Sequence, residues 1–252
     1  MSDKLIQIAD DFWNIRGSFR VFGFIDIGTQ ASLVQLRSGG YVLLDSYTLT
    51  GDVKREVMDM TDDGAAVEAI INLHPFHTLH CANMHSDFPD AKLYGTGRHA
   101  ERDPDLPWEE LLTEQPEFRQ LYPEDFEFSV PRGVEFVTDN EHVHFSSVLA
   151  FHRSSRTIHA DDTLMYMRIP RPAVSFHPTL SQALEKRPGA AADFRDWATE
   201  LATEWRDAEN LCAAHTGALT KDRLRGETIE ARIMAALERV SRKLDSHESR
   251  YG

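Results

Sequence analysis

The chain is most constrained at residues 69 to 84, AIINLHPFHTLHCANM, where an apolar run stops abruptly in His74, His77 and His80. Five residues as apolar as Ala69-Ile70-Ile71-Asn72-Leu73 read as a buried strand, and a buried strand obliges the rest of the chain to supply covering layers. Neutral imidazole is the commonest protein ligand for a metal ion, so three of them at one strand end raise metal binding as the first functional reading. Each histidine taken singly reads as an ordinary hydrogen-bonded residue; their clustering carries the ligand reading. His77 and His80, three apart, would share a helix face. A helix starting near Thr78 would set its N-terminal dipole beside them and favour a bound anion or hydroxide.

The remaining pattern supplies the layers. Residues 13 to 45 read as a β-meander, with FRVFGFIDIG, ASLVQLRSGG and YVLLDSY as strands and Ser38-Gly39-Gly40 as a hairpin turn. An amphipathic helix is expected over residues 52 to 60, a second over 78 to 88, and a short strand in DAKLYGT. Residues 100 to 128, with Pro104, Pro107, Pro116 and Pro123, form an irregular insertion that is either a lid or a cover. Its Trp108, Phe118 and Tyr122 either wall a pocket or anchor the excursion to the core. Strands return in VEFVTDNEHVHFSSVLAFH and RTIHADDTLMYMRI, followed by two helices in DFRDWATELATEWRDA and ETIEARIMAALERVSRKLD. The last residues, SHESRYG, read as frayed. The whole is an α/β (α+β) chain, read as one domain over residues 1 to 252.

Composition narrows the function. With 27 Lys and Arg against 41 Asp and Glu, a net charge of −14 repels phosphate backbones and anionic membrane surfaces. Neither nucleic acid nor membrane is therefore an expected partner; a small-molecule substrate is, and homodimerisation stays open. Cys81 and Cys212 form no CxxC pair and are too few for a disulfide framework, which points to a reducing, cytoplasmic setting. No basic head followed by an apolar run opens the chain and no 18-residue apolar run occurs, so a soluble, unprocessed protein is expected.

Further ligand-type residues lie in separate segments: His142 and His144 in EHVHF, His159, Asp161 and Asp162 in IHADDTL, and His215 in LCAAHTG between helices. Imidazoles and carboxylates near the ends of elements are what a divalent ion needs when its ligands converge from different parts of a fold. His142 and His144, two apart, would share a strand face and His142 would line the site; equally, His142 caps a solvent-exposed turn. His177 precedes a proline in SFHPTL and reads as structural, with substrate contact as the alternative; His85, His99, His152 and His247 have no partner motif and read as ordinary.

In this order the elements and motifs resemble the metallo-β-lactamase fold superfamily over roughly residues 10 to 235. GGYVLLDSY is similar to the strand ending in Asp, here Asp45; AIINLHPFHTLH stands where the family has H-x-H-x-D-H. HVHFSSVLAFH is similar to the segment carrying the next His, RTIHADDTL to the strand ending in Gly-Asp, and LCAAHTG to the late His-Gly turn. The resemblance implies a four-layer αββα sandwich and a metal site drawing on His74, His77, His80, His144, Asp162 and His215. The signature is degenerate: with His77 and His80 as the second and fourth ligands, Pro75 takes the first position and Leu79 that of the Asp.

The implied chemistry is metal-dependent hydrolysis of an ester, lactone, thioester or amide by metal-activated water, with zinc first and iron or manganese next, as one ion or none. Without the signature Asp, proton handling passes to Asp162 itself and to His159 or Asp161 nearby; the alternative makes Asp161 a turn carboxylate and His159 a strand histidine. The alternative is a catalytically degenerate member with a binding or assembly role, which Leu79 and Pro75 favour. A third reading takes EHVHF as the His-x-His of a β-barrel iron protein; the helical C-terminal third opposes it.

Overall fold

The structure, a computed structural model, describes residues 3–21, 25–167, 172–215 and 217–252. Its packing falls into two compact units, residues 1–127 with 152–155 and residues 128–151 with 156–252. Phe22, Gly23 and Phe24 of the FRVFGFIDIG run lie outside the described residues.

The first unit opens with strands β1 (Lys4–Ala9), β2 (Phe12–Gly17), β3 (Arg20–Val21), β4 (Ile25–Asp26), β5 (Thr29–Gln35) and β6 (Tyr41–Leu44). Helix α1 (Gly51–Met60), β7 (Val67–Ile71), α2 (Cys81–Asp87), β8 (Lys92–Tyr94) and α3 (Gly97–Arg102) follow. The main sheet runs β1-β2-β5-β6-β7-β8. Pairing is antiparallel through the expected meander and becomes parallel from β6 to β7 and from β7 to β8. The hairpin closes where Leu36 N–H donates to Gly40 O at 2.8 Å, with Gly39 at φ 94°, a conformation glycine adopts without strain. Strand β1 is an addition to the sequence reading: its residues are half-buried or exposed, so KLIQIA lacks the alternation that marks a strand.

The AIINL run is buried as expected. Val67, Ala69, Ile70 and Ile71 of β7 are buried and Glu68 alone is exposed, as suits a parallel strand inside a covered sheet. Val53 and Val57 of α1, one turn apart, pack in one apolar cluster with Leu33, Leu43, Ile70 and Met84. Each such side chain contributes about 1.5–3 kcal/mol on burial. In the irregular excursion, Phe118 is fully buried with its ring 5.6 Å from Tyr94, and Trp108 Nε1–H donates to Asp103 O at 2.9 Å. These two aromatics anchor the excursion to its own unit.

His152, in the strand after the excursion, sits 5.9 Å from the Phe12 ring and 5.2 Å from the Phe126 ring. Burial lowers its proton affinity below the ordinary 6.5, against the pull of Asp11 and Asp125. The unfolded chain therefore takes up a proton as pH falls through 6.5 while the folded chain does not. The stability held above that pH is lost below it, by up to about 1.4 kcal/mol per pH unit for one such group. Urea midpoints between pH 7.5 and 5.5 should fall less in His152→Phe, which keeps the aromatic packing without the titration.

Strand β9 (Phe126–Ser129) leads to β10 (Leu149–His152), β11 (Thr157–Ala160), β12 (Leu164–Met167), β13 (Ala173–Phe176), α4 (Leu180–Ala183), α5 (Ala190–Glu204), β14 (Asn210–Ala213), β15 (Gly217–Leu219) and α6 (Ile229–Tyr251). The sheet order is β15-β14-β11-β10-β9, with β12 and β13 as a separate ribbon. The core of the second unit gathers Phe194, Trp197 and Leu201 of α5 with Ile229, Ile233 and Leu244 of α6.

Three expectations are corrected here. EHVHF is not a strand: Asn140 accepts from the His142 N–H at its side chain and from the Val143 N–H at its carbonyl, and this local turn bonding replaces a ladder. SHESRYG is not frayed: α6 runs to Tyr251 because Leu244 and His247 extend its buried stripe. His215 follows a strand, β14, instead of lying between helices.

Candidate functional site

In the first unit the parallel strands β6 and β7 end together, since their register pairs Leu44 with Ile71. Carboxyl ends of parallel strands are where open sheets hold ligands. Asp45 follows β6, buried, at φ 59°. That left-handed conformation, which Asp adopts more readily than most residues, is held from the neighbouring strand by Asp45 N–H donating to Ile71 O and by Oδ1 accepting from Leu73 N–H, both at 2.8 Å. The chain then turns through His74 and His77, whose rings stack at 4.1 Å between centroids.

Phe76 N–H donates to His74 Nδ1 at 3.1 Å, which makes that nitrogen an acceptor and puts the neutral ring's proton on Nε2. His80 directly precedes the first residue of α2, its Nδ1 2.8 Å from Thr48 Oγ1. Burial, and next the His77 imidazole, lower its proton affinity, so it stands neutral and suited to donate a lone pair. Cys81 is unsuited: burial pushes its thiol up to about 12, and it offers no thiolate. Leu79, between His77 and His80, is 70% exposed.

In the second unit β11 and β14 run parallel with Ala160 paired to Ala213, and two further residues along each chain bring Asp162 level with His215. Asp162 Oδ1 lies 3.1 Å from His215 Nε2. Strand β13 pairs with β12 so that Phe176 faces Leu164, which carries His177 to the level of Thr163, next to Asp162. Burial lowers the proton affinity of His177, Asp162 opposes, and His215 and His144 add to the lowering, so all three groups lie in electrostatic reach of His177. Thr179 Oγ1 pairs with His177 Nδ1 at 2.7 Å and donates to His144 O at 3.5 Å. His144 Nε2 is bonded to the Glu141 carbonyl. His159, in β11, and Asp161, just past its end, are both buried.

Within the first unit the structure thus brings His74 and His77 together, with His80 in electrostatic reach of His77; within the second it brings Asp162 and His215 together, and both, with His144, act on His177. His142 is exposed on the Asn140 turn and joins neither group. His177, which the sequence offers as a structural residue or a substrate contact, is here a neighbour of Asp162. Its only signal is the spacing from Phe176, which becomes informative once the β12–β13 register is known. The donors fit a divalent ion of intermediate softness: imidazole nitrogen suits zinc, iron and copper, and carboxylate oxygen extends the set to manganese.

No protein-family profile and no curated protein matches the chain. Solved structures do. A metallo-β-lactamase from Erythrobacter litoralis, with β-mercaptoethanol in its active site, is 13% identical at a TM-score of 0.62, covering 94% of this chain and 96% of that one. The metallo-β-lactamase FIM-1 from Pseudomonas aeruginosa, in its mono-zinc form, is 10% identical at 0.63, covering 96% and 97%. A metallo-β-lactamase from Hirschia baltica is 12% identical at 0.60, covering 92% and 98%. The similarity takes in nearly the whole of each chain, and this protein has the metallo-β-lactamase fold.

Proposed function

We propose that this metallo-β-lactamase-fold protein is a metal-dependent hydrolase acting on an ester, lactone, thioester or amide bond of a small molecule. The observation that carries the reading is the 3.1 Å approach of Asp162 Oδ1 and His215 Nε2 at the carboxyl ends of two parallel strands, with His144 and His177 in electrostatic reach. Each unit supplies candidate ligands of its own: Asp162 and His215, with His144 as a further candidate, in the second unit, and separately His77 and His80 in the first. His74 ligates at Nε2 only once the proton placed there by the Phe76 contact is displaced; otherwise it orients His77 by stacking. Zinc is the first choice, and the mono-zinc state of FIM-1 supports an ion of that kind.

A bound ion lowers the pKa of its water from about 15.7 towards 7 and polarises the carbonyl under attack. The protein's own groups position and move protons. Asp162 fixes the His215 ring by charge. His177, kept neutral by burial, is available to accept a proton. His159 and Asp161, both buried, are the remaining proton-handling candidates.

Protein purified without chelator is expected to carry near-stoichiometric zinc, iron or manganese by elemental analysis and to hydrolyse simple aryl esters or lactones. Dialysis against chelator should remove both, and zinc should restore turnover. One observation favours a second reading, a degenerate fold member with a binding or assembly role: exposed Leu79 replaces the Asp that orients the nucleophile in the family. Metal-free protein with no turnover decides for it.

A further inference from the structure

We infer that the second unit carries an anion-binding pocket on its C-terminal helix, for a small organic molecule bearing a phosphate or carboxylate group; none of its lining residues is a candidate metal ligand. The recess measures about 800 Å³, within the range of small-molecule sites. Helix α6, residues 135–143 and residues 181–186 form its walls.

Charge is the first argument. On α6, Arg242, Ser246 and Arg250 follow one another at intervals of four, and Lys243, His247 and Tyr251 do the same on the adjoining stripe, so both rows face the recess. Lys186 adds a fourth cation from the 181–186 wall, against two carboxylates, Glu135 and Asp139. Four positive groups less two negative leave a local charge of +2 on a chain whose net charge is −14. Among the described residues, the side chains of Lys186, Arg242 and Lys243 make no ion pair or hydrogen bond. A concave concentration of unneutralised cations on an acidic protein selects an anion.

His247 is the second, independent argument. It is 8% exposed and lines the recess, yet neither ring nitrogen has a hydrogen-bond partner. It occupies a position in the buried stripe of α6, Ile229, Ile233, Ala236 and Leu244, where an apolar residue would pack without that deficit. Its ring is 4.7 Å from Tyr251. A ligand oxygen satisfies the imidazole, the guanidinium groups of Arg242 and Arg250 bind the oxyanion in forked geometry, and Val143, Leu184 and Tyr251 accept an apolar or aromatic body. Glu135 and Asp139, both from the 135–143 wall, suit hydroxyl or ammonium groups elsewhere on the ligand.

Isothermal titration with phenyl phosphate and with benzoate, at fixed ionic strength, tests this. Saturable binding of either probe is expected, and the tighter one identifies the oxyanion. Arg242→Gln with Lys243→Gln should weaken it at least about tenfold, the loss of a charge-assisted hydrogen bond. Lys186→Gln, on a different wall, and His247→Phe should weaken it too. No saturable binding of either probe up to about 10 mM, or affinity unchanged in all these variants, overturns the inference. Neither outcome depends on whether the protein is a hydrolase.

Discussion

Asp162→Asn is expected to lower kcat/KM for ester or lactone hydrolysis by about a thousandfold, some 4 kcal/mol of transition-state stabilisation. Asparagine keeps the size and one acceptor oxygen but removes the charge, and Asp162 is 2% exposed, so solvent cannot replace what is lost. Both proposed duties of the carboxylate, ligand and orienting partner of His215 at 3.1 Å, depend on that charge. Bound metal should fall together with activity. His215→Ala should cost a similar factor, and the double variant little more, because groups acting as a unit are not additive. Unchanged metal content with activity within about twofold of the parent would make Asp162 a structural carboxylate and remove the main support of the hydrolase reading.

Phe194→Ala should destabilise the protein by about 3–5 kcal/mol, a large share of the stability of an ordinary domain. Phe194 is fully buried on α5, with ring centroids 5.8 Å from Phe145, 5.1 Å from Phe176 and 5.4 Å from Trp197. Truncation leaves a cavity lined by three rigid rings that cannot collapse onto it. Phe194→Leu, which keeps most of the volume, should cost about 1 kcal/mol. Denaturant unfolding of the two variants checks the difference. Because Phe176 directly precedes His177, the alanine variant should also lose activity before it unfolds, whereas the leucine variant should keep it. Equal midpoints for parent and Phe194→Ala would mean that this aromatic cluster does not hold the second unit together.

The candidate site was legible only in part. His74, His77 and His80 announce themselves because they terminate a run whose composition already marks a buried strand. Asp162 and His215 were found through motif resemblance, and the structure adds the cause of their meeting: the parallel register of β11 and β14. His177 could not be found this way. Nothing near SFHPTL distinguishes a structural imidazole from one beside a carboxylate, and the distinction arises from the pairing of β12 with β13. His247 was likewise passed over, since its significance lies in being buried without a partner.

What the sequence alone determined are the properties that depend on short range. The apolar run at residues 67 to 71, the valines of α1 four apart and the stripe of α6 each set a burial period, and each element formed where its period predicted. Tertiary structure decided the rest. Asp162 and His215 meet because β11 and β14 pair in parallel, and His177 comes level with Thr163 because β13 pairs with β12. The physical reason is the same in both cases. Periodicity records which face of an element is apolar, whereas register, turn bonding and the meeting of distant side chains follow from how elements pair, and that pairing is set by contacts between residues far apart in the chain.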